Sequence, residues 1–209
     1  MKKELEQRSY ICEVRAEDRE DGRSIITGRP IVFGSRTDLG WFDEIIDPGA
    51  LDTTDLTDVR FLVNHDLSKI PLARSRRNNG NSTMQLLTDA QGMQITAELD
   101  TENNAEARAL YSAVQRGDIT GMSFMFSIDA EEWEELESDH PLRRIKTISS
   151  VVEVSAVTFP AYDATEINAR SKDALDSARS AMEIARQQRA REVETSQELA
   201  LLKAKINLM

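Results

Sequence analysis

The chain has one cysteine, Cys12, and two histidines among 209 residues. A lone thiol cannot close an intrachain disulfide, which points to a reducing compartment. So few histidine and cysteine side chains cannot build a multi-ligand zinc or iron–sulfur site. A metal held by His65, Asp66 and His140 has no ligand spacing behind it, so no cofactor or metal is expected. No apolar run approaches the roughly 20 residues of a membrane span. The opening Met1–Gln7 stretch is polar, unlike a signal peptide, so a cytosolic location away from membranes is expected. Basic residues are also short, with 26 Lys+Arg against 37 Asp+Glu and a net charge of −11. The deficit lies in residues 1–170, with 19 basic against 31 acidic; residues 171–209 hold 7 and 6. A domain so charged repels phosphate, which argues against a nucleic-acid partner. There are no internal repeats. The Gly-x-Ser-x-Gly elbow of α/β-hydrolases is missing, because Met125 stands where its second glycine would be.

What is present is enough for a core. Hydrophobic residues make up 40% of the chain, which suits one domain with an appendage. Residues 8–17 alternate and predict a strand. Asp21-Gly22 signals a hairpin into a strand over 25–33, where Pro30 demands an edge or a bulge. Asp47 followed by Pro48 predicts a short capped helix. Residues 59–66 read as a strand, 70–77 as a further extended stretch, and 84–87 with 93–99 as a second hairpin. Asn103 with Glu106 marks a capped helix whose apolar face is Ala107, Leu110, Tyr111 and Val114, stopped by Gly117. Residues 129–139 read as an acidic loop. Residues 142–148 and 151–159 read as two strands or one bent strand. Pro160-Ala161-Tyr162 is expected to end the strand before it.

The most ordered pattern is Gly121–Ile128. Met122, Phe124, Phe126 and Ile128 fall on one side of an extended strand, and Ser123 falls on the other. Buried apolar anchors on one face hold a hydroxyl fixed on the opposite face. A serine hydroxyl is a weak nucleophile at neutral pH. It needs a base, and the base needs a third group to fix its tautomer. His65, at a strand end, is the right type of base. Glu153, inside an apolar strand, is the right type of orienting acid. Each has a plainer reading. His65 has Phe61 and Val63 at period-two spacing and suits a core histidine. Glu153 suits a structural ion pair with Arg143 or Arg144. His140 lies in a polar Asp139-His140-Pro141 turn. The acidic run Glu131–Glu135 suits a solvated loop or, more sharply, a surface for a basic partner.

Four stretches occur in order: Phe42–Ala50 (FDEIIDPGA), Asn64-His65-Asp66, Gly117–Phe124 (GDITGMSF) and Glu153–Tyr162 (EVSAVTFPAY). Together they resemble the prohead (capsid maturation) serine proteases of tailed bacteriophages, over roughly residues 8–168. That family is similar in fold to the herpesvirus maturational proteases. The resemblance implies an α+β fold, mainly an antiparallel β-barrel with peripheral helices. It implies His65 as general base, Ser123 as nucleophile and Glu153 as third member of a catalytic triad, with His140 as the rival for the last role. It also implies cleavage of a scaffold protein, or of the scaffolding segment of the major capsid protein, inside the procapsid in the host cytoplasm. Self-cleavage and a homodimer belong to the same expectation. One departure is Ile70–Arg74, where family members carry glycine then arginine; it bears on the shape of the substrate cleft.

From Ser171 glycine and proline vanish, alanine is frequent and charges alternate. Leu175, Ala178, Met182 and Ala185 mark one helical face, and Thr195 with Glu198 caps a second helix carrying Leu199, Leu202 and Ile206. Residues 171–209 thus read as a helical tail for scaffold or assembly contacts, or as an autocleaved segment. Two other functions compete with the protease reading. One is a non-enzymatic capsid scaffold or assembly protein keeping the same fold. The other is an acidic module for basic peptides.

Overall fold

The computed structural model describes residues 5–159, 172–184, 186–188 and 191. In chain order the elements are β1 (Glu6–Ile11), β2 (Arg15–Asp18), β3 (Ser24–Val32), β4 (Thr37–Asp38), β5 (Asp43–Ile46), β6 (Asp58–Val63), β7 (Ala73–Arg76), β8 (Met84–Asp89), β9 (Gly92–Leu99), α1 (Ala105–Gln115), β10 (Gly121–Glu134) and β11 (Leu142–Val157). The fold is α+β with strands dominant. The described strands form two sheets and no closed barrel, so the expected barrel is not found. One sheet runs β1-β10-β11-β5-β4, with β6 on β11 and β7 on β6; the other runs β2-β3-β9-β8. A shared core joins them, taking Ile26, Met93 and Ile95 from the smaller sheet and Met122, Phe124, Phe126 and Val154 from the larger.

Strand β10 is the larger sheet's spine. Its residues Met122, Phe124 and Phe126 are fully buried, as the period-two pattern requires, and the two phenyl rings stack with centroids 4.6 Å apart. Strand β11 is one continuous strand that binds β10 antiparallel along its length. It also takes two parallel neighbours, β5 against Leu142–Ile145 and β6 against Glu153–Ala156. The two ends of β11 therefore build two separate neighbourhoods, and the candidate site lies at the second.

Several local expectations shift for identifiable reasons. The strand expected over 8–17 is two strands in different sheets: β1 pairs with β10 and β2 with β3. The helix expected from Asp47 is a run of turns, because Gly49 takes φ +87°, outside the helical range. The cap of α1 is Asn104 rather than Asn103; its side chain accepts from the Glu106 and Ala107 N–H groups. The bulge expected at Pro30 is present, as a register shift between Gly28 and Ile31. The acidic 129–139 loop is mostly strand, since β10 continues to Glu134. Its acids pair across to β11: Glu131 with Arg143, Glu134 with Arg144 and Glu132 with Lys146. Three of the four acids in the 131–135 run thus face basic partners on β11.

Residues 172–184 are helical. They lie on the chain's own β10–β11 turn, where Arg179 donates to the Leu136 and Ser138 carbonyls and Leu175 is buried. Lys172 sits over the Trp41 ring at 4.7 Å. The helix expected from Thr195 and the Pro160-Ala161-Tyr162 stop lie outside the described residues.

At Gly92 the backbone has φ +137°, and an added Cβ would stand 2.0 Å from the Ile31 carbonyl oxygen. Gly92→Ala is expected to destabilise the smaller sheet by about 1–3 kcal/mol from the backbone conformation, with the steric clash adding to it. Thermal unfolding checks this: a domain of this size loses roughly 2–4 °C in Tm per kcal/mol, and an unchanged Tm would refute it.

Candidate active site

Strand β6 ends at Val63 and the chain turns sharply. Asn64 and His65 both take left-handed φ, 49° and 57°. For non-glycine residues this conformation is uncommon and costs free energy unless the surroundings hold it. They do. The Asn64 N–H donates to the Ala156 carbonyl at 3.0 Å, and the Asn64 Oδ1 accepts from the Thr158 N–H at 2.9 Å. The His65 N–H donates to Ser155 Oγ at 3.1 Å. The turn is thus riveted to the end of β11, and the imidazole is delivered onto that strand.

There it meets Glu153. His65 Nδ1 lies 2.5 Å from Glu153 Oε1. The other carboxylate oxygen, Oε2, accepts from Ser155 Oγ at 2.6 Å. Glu153 is 0% exposed, and the His65 side chain is 8% exposed. A buried carboxylate is tolerated only when its oxygens are hydrogen-bonded, and both are. The bond to Nδ1 places the proton there and leaves Nε2 as the acceptor nitrogen. Among the described residues Nε2 has no hydrogen-bond partner although it is buried.

Ser123 stands one strand away. It is the direct cross-strand partner of Ser155, so the two hydroxyls share the face that also carries Glu153. Ser123 is fully buried. Its hydroxyl donates to the Arg8 carbonyl at 2.7 Å and accepts from Ser9 Oγ at 2.9 Å. The structure therefore brings His65 and Glu153 into contact and holds Ser123 on the adjacent strand, with its hydroxyl engaged by β1 rather than by His65.

The alternatives resolve differently. Arg143 and Arg144 do not reach Glu153: Arg143 binds Glu6, Glu44 and Glu131, and Arg144 binds Asp47 and Glu134. His140 is at the other end of β11, its Nε2 3.1 Å from Asp43 Oδ1. It belongs to the β5 neighbourhood and not to the Glu153 pair. Among the described residues Asp38, Asp43 and His140 bring ligand atoms within 4.8 Å of one another, but Asp43 is already paired with Arg36. His65 and Asp66 are not in that cluster.

Sequence reasoning missed Ser155, Ser9 and the Arg8 carbonyl. For Ser155 a signal existed, since a serine two residues from a buried glutamate on one strand shares its face. For β1 none did, because its pairing with β10 spans more than a hundred residues.

Residues 11–179 match the model of a protease family. The match spans most of the chain, and the chain belongs to that family, the caudovirus prohead serine proteases. No curated protein matches the chain. Among solved structures it is similar to the capsid assembly protease of bacteriophage T4, at 10% sequence identity and a TM-score of 0.40, over 73% of this chain and 96% of that one.

Proposed function

We propose that Ser123, His65 and Glu153 form the catalytic triad of a serine endopeptidase. We propose further that the enzyme cleaves scaffold protein, or the scaffolding segment of the major capsid protein, inside the procapsid in the host cell. The observation that carries the reading is the buried His65–Glu153 pair with its unpartnered Nε2, held on the strand next to Ser123. Core burial of two histidine-pairing groups gives no reason to leave an imidazole nitrogen unsatisfied; a base awaiting a proton does.

In this mechanism the Ser123 hydroxyl leaves the Arg8 carbonyl and donates to His65 Nε2. His65 takes the proton as Ser123 Oγ attacks the scissile carbonyl. Glu153 stabilises the imidazolium, and His65 then protonates the leaving amine; a water that gives its proton to His65 next attacks the acyl-Ser123 ester, which releases the acid product and restores the Ser123 hydroxyl. Residues 1–170 are the protease domain of this scheme, and residues 171–209 are a tail that contacts scaffold or is removed by self-cleavage. The enzyme works as a homodimer with capsid or scaffold protein as its partner.

The test is chemical. A fluorophosphonate is expected to modify the wild type at Ser123 and to leave Ser123→Ala unmodified. A co-expressed capsid protein, read by mass spectrometry, is expected to be shortened only by the wild type. A wild type that the phosphonate leaves untouched would instead favour the scaffold protein that keeps the fold without activity.

A further inference from the structure

Beside the His65 turn lies a groove of about 430 Å³ between the end of β6, the loop that follows it and helix α1. Val63, Asn64 and Asp66, on either side of His65, form one wall, and Leu110 and Ala113 of α1 form the other. Ile119 also lines it, four residues before Ser123. The groove is thus continuous with both segments that carry the proposed base and nucleophile.

Its lining is mostly apolar, and two of the charges it borders neutralise each other. Lys69 binds Glu106 across the mouth at 2.6 Å. The Asp66 carboxylate accepts from the Ser68 N–H and hydroxyl. What remains for a ligand is aliphatic: Leu62, Leu72, Leu110 and Ile119. At the rim Ile70 is 82% exposed, a large aliphatic group left in water beside an apolar hollow. On α1 the groove-facing positions Ala109 and Ala113 are one helical turn apart, and their small side chains keep the space open.

We infer that this groove is the specificity pocket of the protease, and that it takes an apolar side chain of Leu or Met size from a residue flanking the scissile bond. The inference rests on the triad reading above. An aliphatic substrate side chain fits for two reasons. Most of the lining is aliphatic, with Lys69 and Glu106 paired to each other and Asp66 hydrogen-bonded to Ser68, and burying apolar area in a preformed hollow is what such walls offer. Ile70 and Leu72, from the loop that follows His65, supply the outer part of the lining.

The experiment uses the full-length chain and paired peptides that differ only in having Leu or Gly at the flanking position. Ala113→Phe fills the groove, and Ile70→Asp puts a charge on its exposed rim at a position where folding is insensitive. Both are expected to lower the Leu-to-Gly ratio of kcat/KM, by tenfold or more for Ala113→Phe and severalfold for Ile70→Asp, with the change mainly in KM. Modification of Ser123 by the small fluorophosphonate reports the triad separately. Labelling of the wild type together with an unchanged ratio in Ile70→Asp and in any folded Ala113→Phe overturns the pocket alone. A wild type that is not labelled overturns the triad, and the pocket with it.

Discussion

Glu153→Gln is expected to keep the fold and lose about four orders of magnitude in kcat. The carboxylate is isosteric with the amide, so the buried volume is conserved and the melting temperature should move little. The chemistry is not conserved. One orientation of the amide presents its NH₂ to His65 Nδ1 and forces the proton to Nε2, leaving no base for Ser123. The other keeps an oxygen on Nδ1 but meets the developing imidazolium with a neutral group. Both orientations lose the stabilisation that Glu153 Oε1 offers at 2.5 Å. Ser155→Ala should be milder. It removes the hydrogen bond to Oε2 and the acceptor for the His65 N–H, but leaves the carboxylate charge in place. Losing a hydrogen bond to a charged group corresponds to roughly a 10–100-fold loss. Peptide kinetics beside thermal melts give the order: Glu153→Gln far below Ser155→Ala, with both folded. A folded Glu153→Gln as active as wild type would reduce Glu153 to a structural ion-pair partner.

The same residues show how far the sequence could be read. Met122, Phe124 and Phe126 announced β10 because period-two burial is a local property, written in neighbouring residues. The α1 face and its Gly117 stop were legible for the same reason; Gly117 takes φ +76°. Pairings across long separations were not legible. Residues 131–135 look like a solvated loop until Arg143, Arg144 and Lys146 are laid across from them, and only the hairpin does that. The loose alternation of residues 8–17 hides a change of sheet between Ile11 and Arg15. For the site, residue types and order pointed to Ser123, His65 and Glu153. The contact between His65 and Glu153 depends instead on the parallel pairing of β6 with β11, which no local pattern encodes. The left-handed turn at Asn64-His65 is equally non-local, because Ser155 and Thr158 are what hold it.

The largest stability effect is expected at Glu44. Its carboxylate is buried between two arginines: Oε1 accepts from Arg8 Nε at 2.6 Å, and Oε2 accepts from Arg8 Nη2 at 2.7 Å and Arg143 Nη1 at 3.2 Å. Glu6 binds the same two guanidiniums. Burial opposes the charge on Arg8, but Glu44 and then Glu6 outweigh it and hold the guanidinium above its usual pKa. The cluster ties β1, β5 and β11 together. Glu44→Ala removes the central anion and leaves two buried cations with one shared acid at the edge. Breaking a buried pair from one side costs about 3–5 kcal/mol, and thermal or urea unfolding will show it. A loss below about 1 kcal/mol would mean that water reaches the cluster. On the proposed mechanism activity should fall too, because the Arg8 carbonyl is the acceptor for Ser123, so loosening β1 loosens the seat of the proposed nucleophile. Glu6 adds a pH dependence of known sign. Burial pushes its carboxyl up, but Arg143 and Arg8 overcome this and hold it below the ordinary value of 4.5. A folded pKa below the unfolded one stabilises the fold fully above pH 4.5, and that contribution is lost as pH falls through the lowered folded value. Glu6→Gln lacks it at every pH, so the stability gap between Glu6→Gln and wild type should be widest near neutrality and should close as pH drops below about 4.5. A gap that stays constant through this range would assign the Glu6 contribution to packing instead of charge.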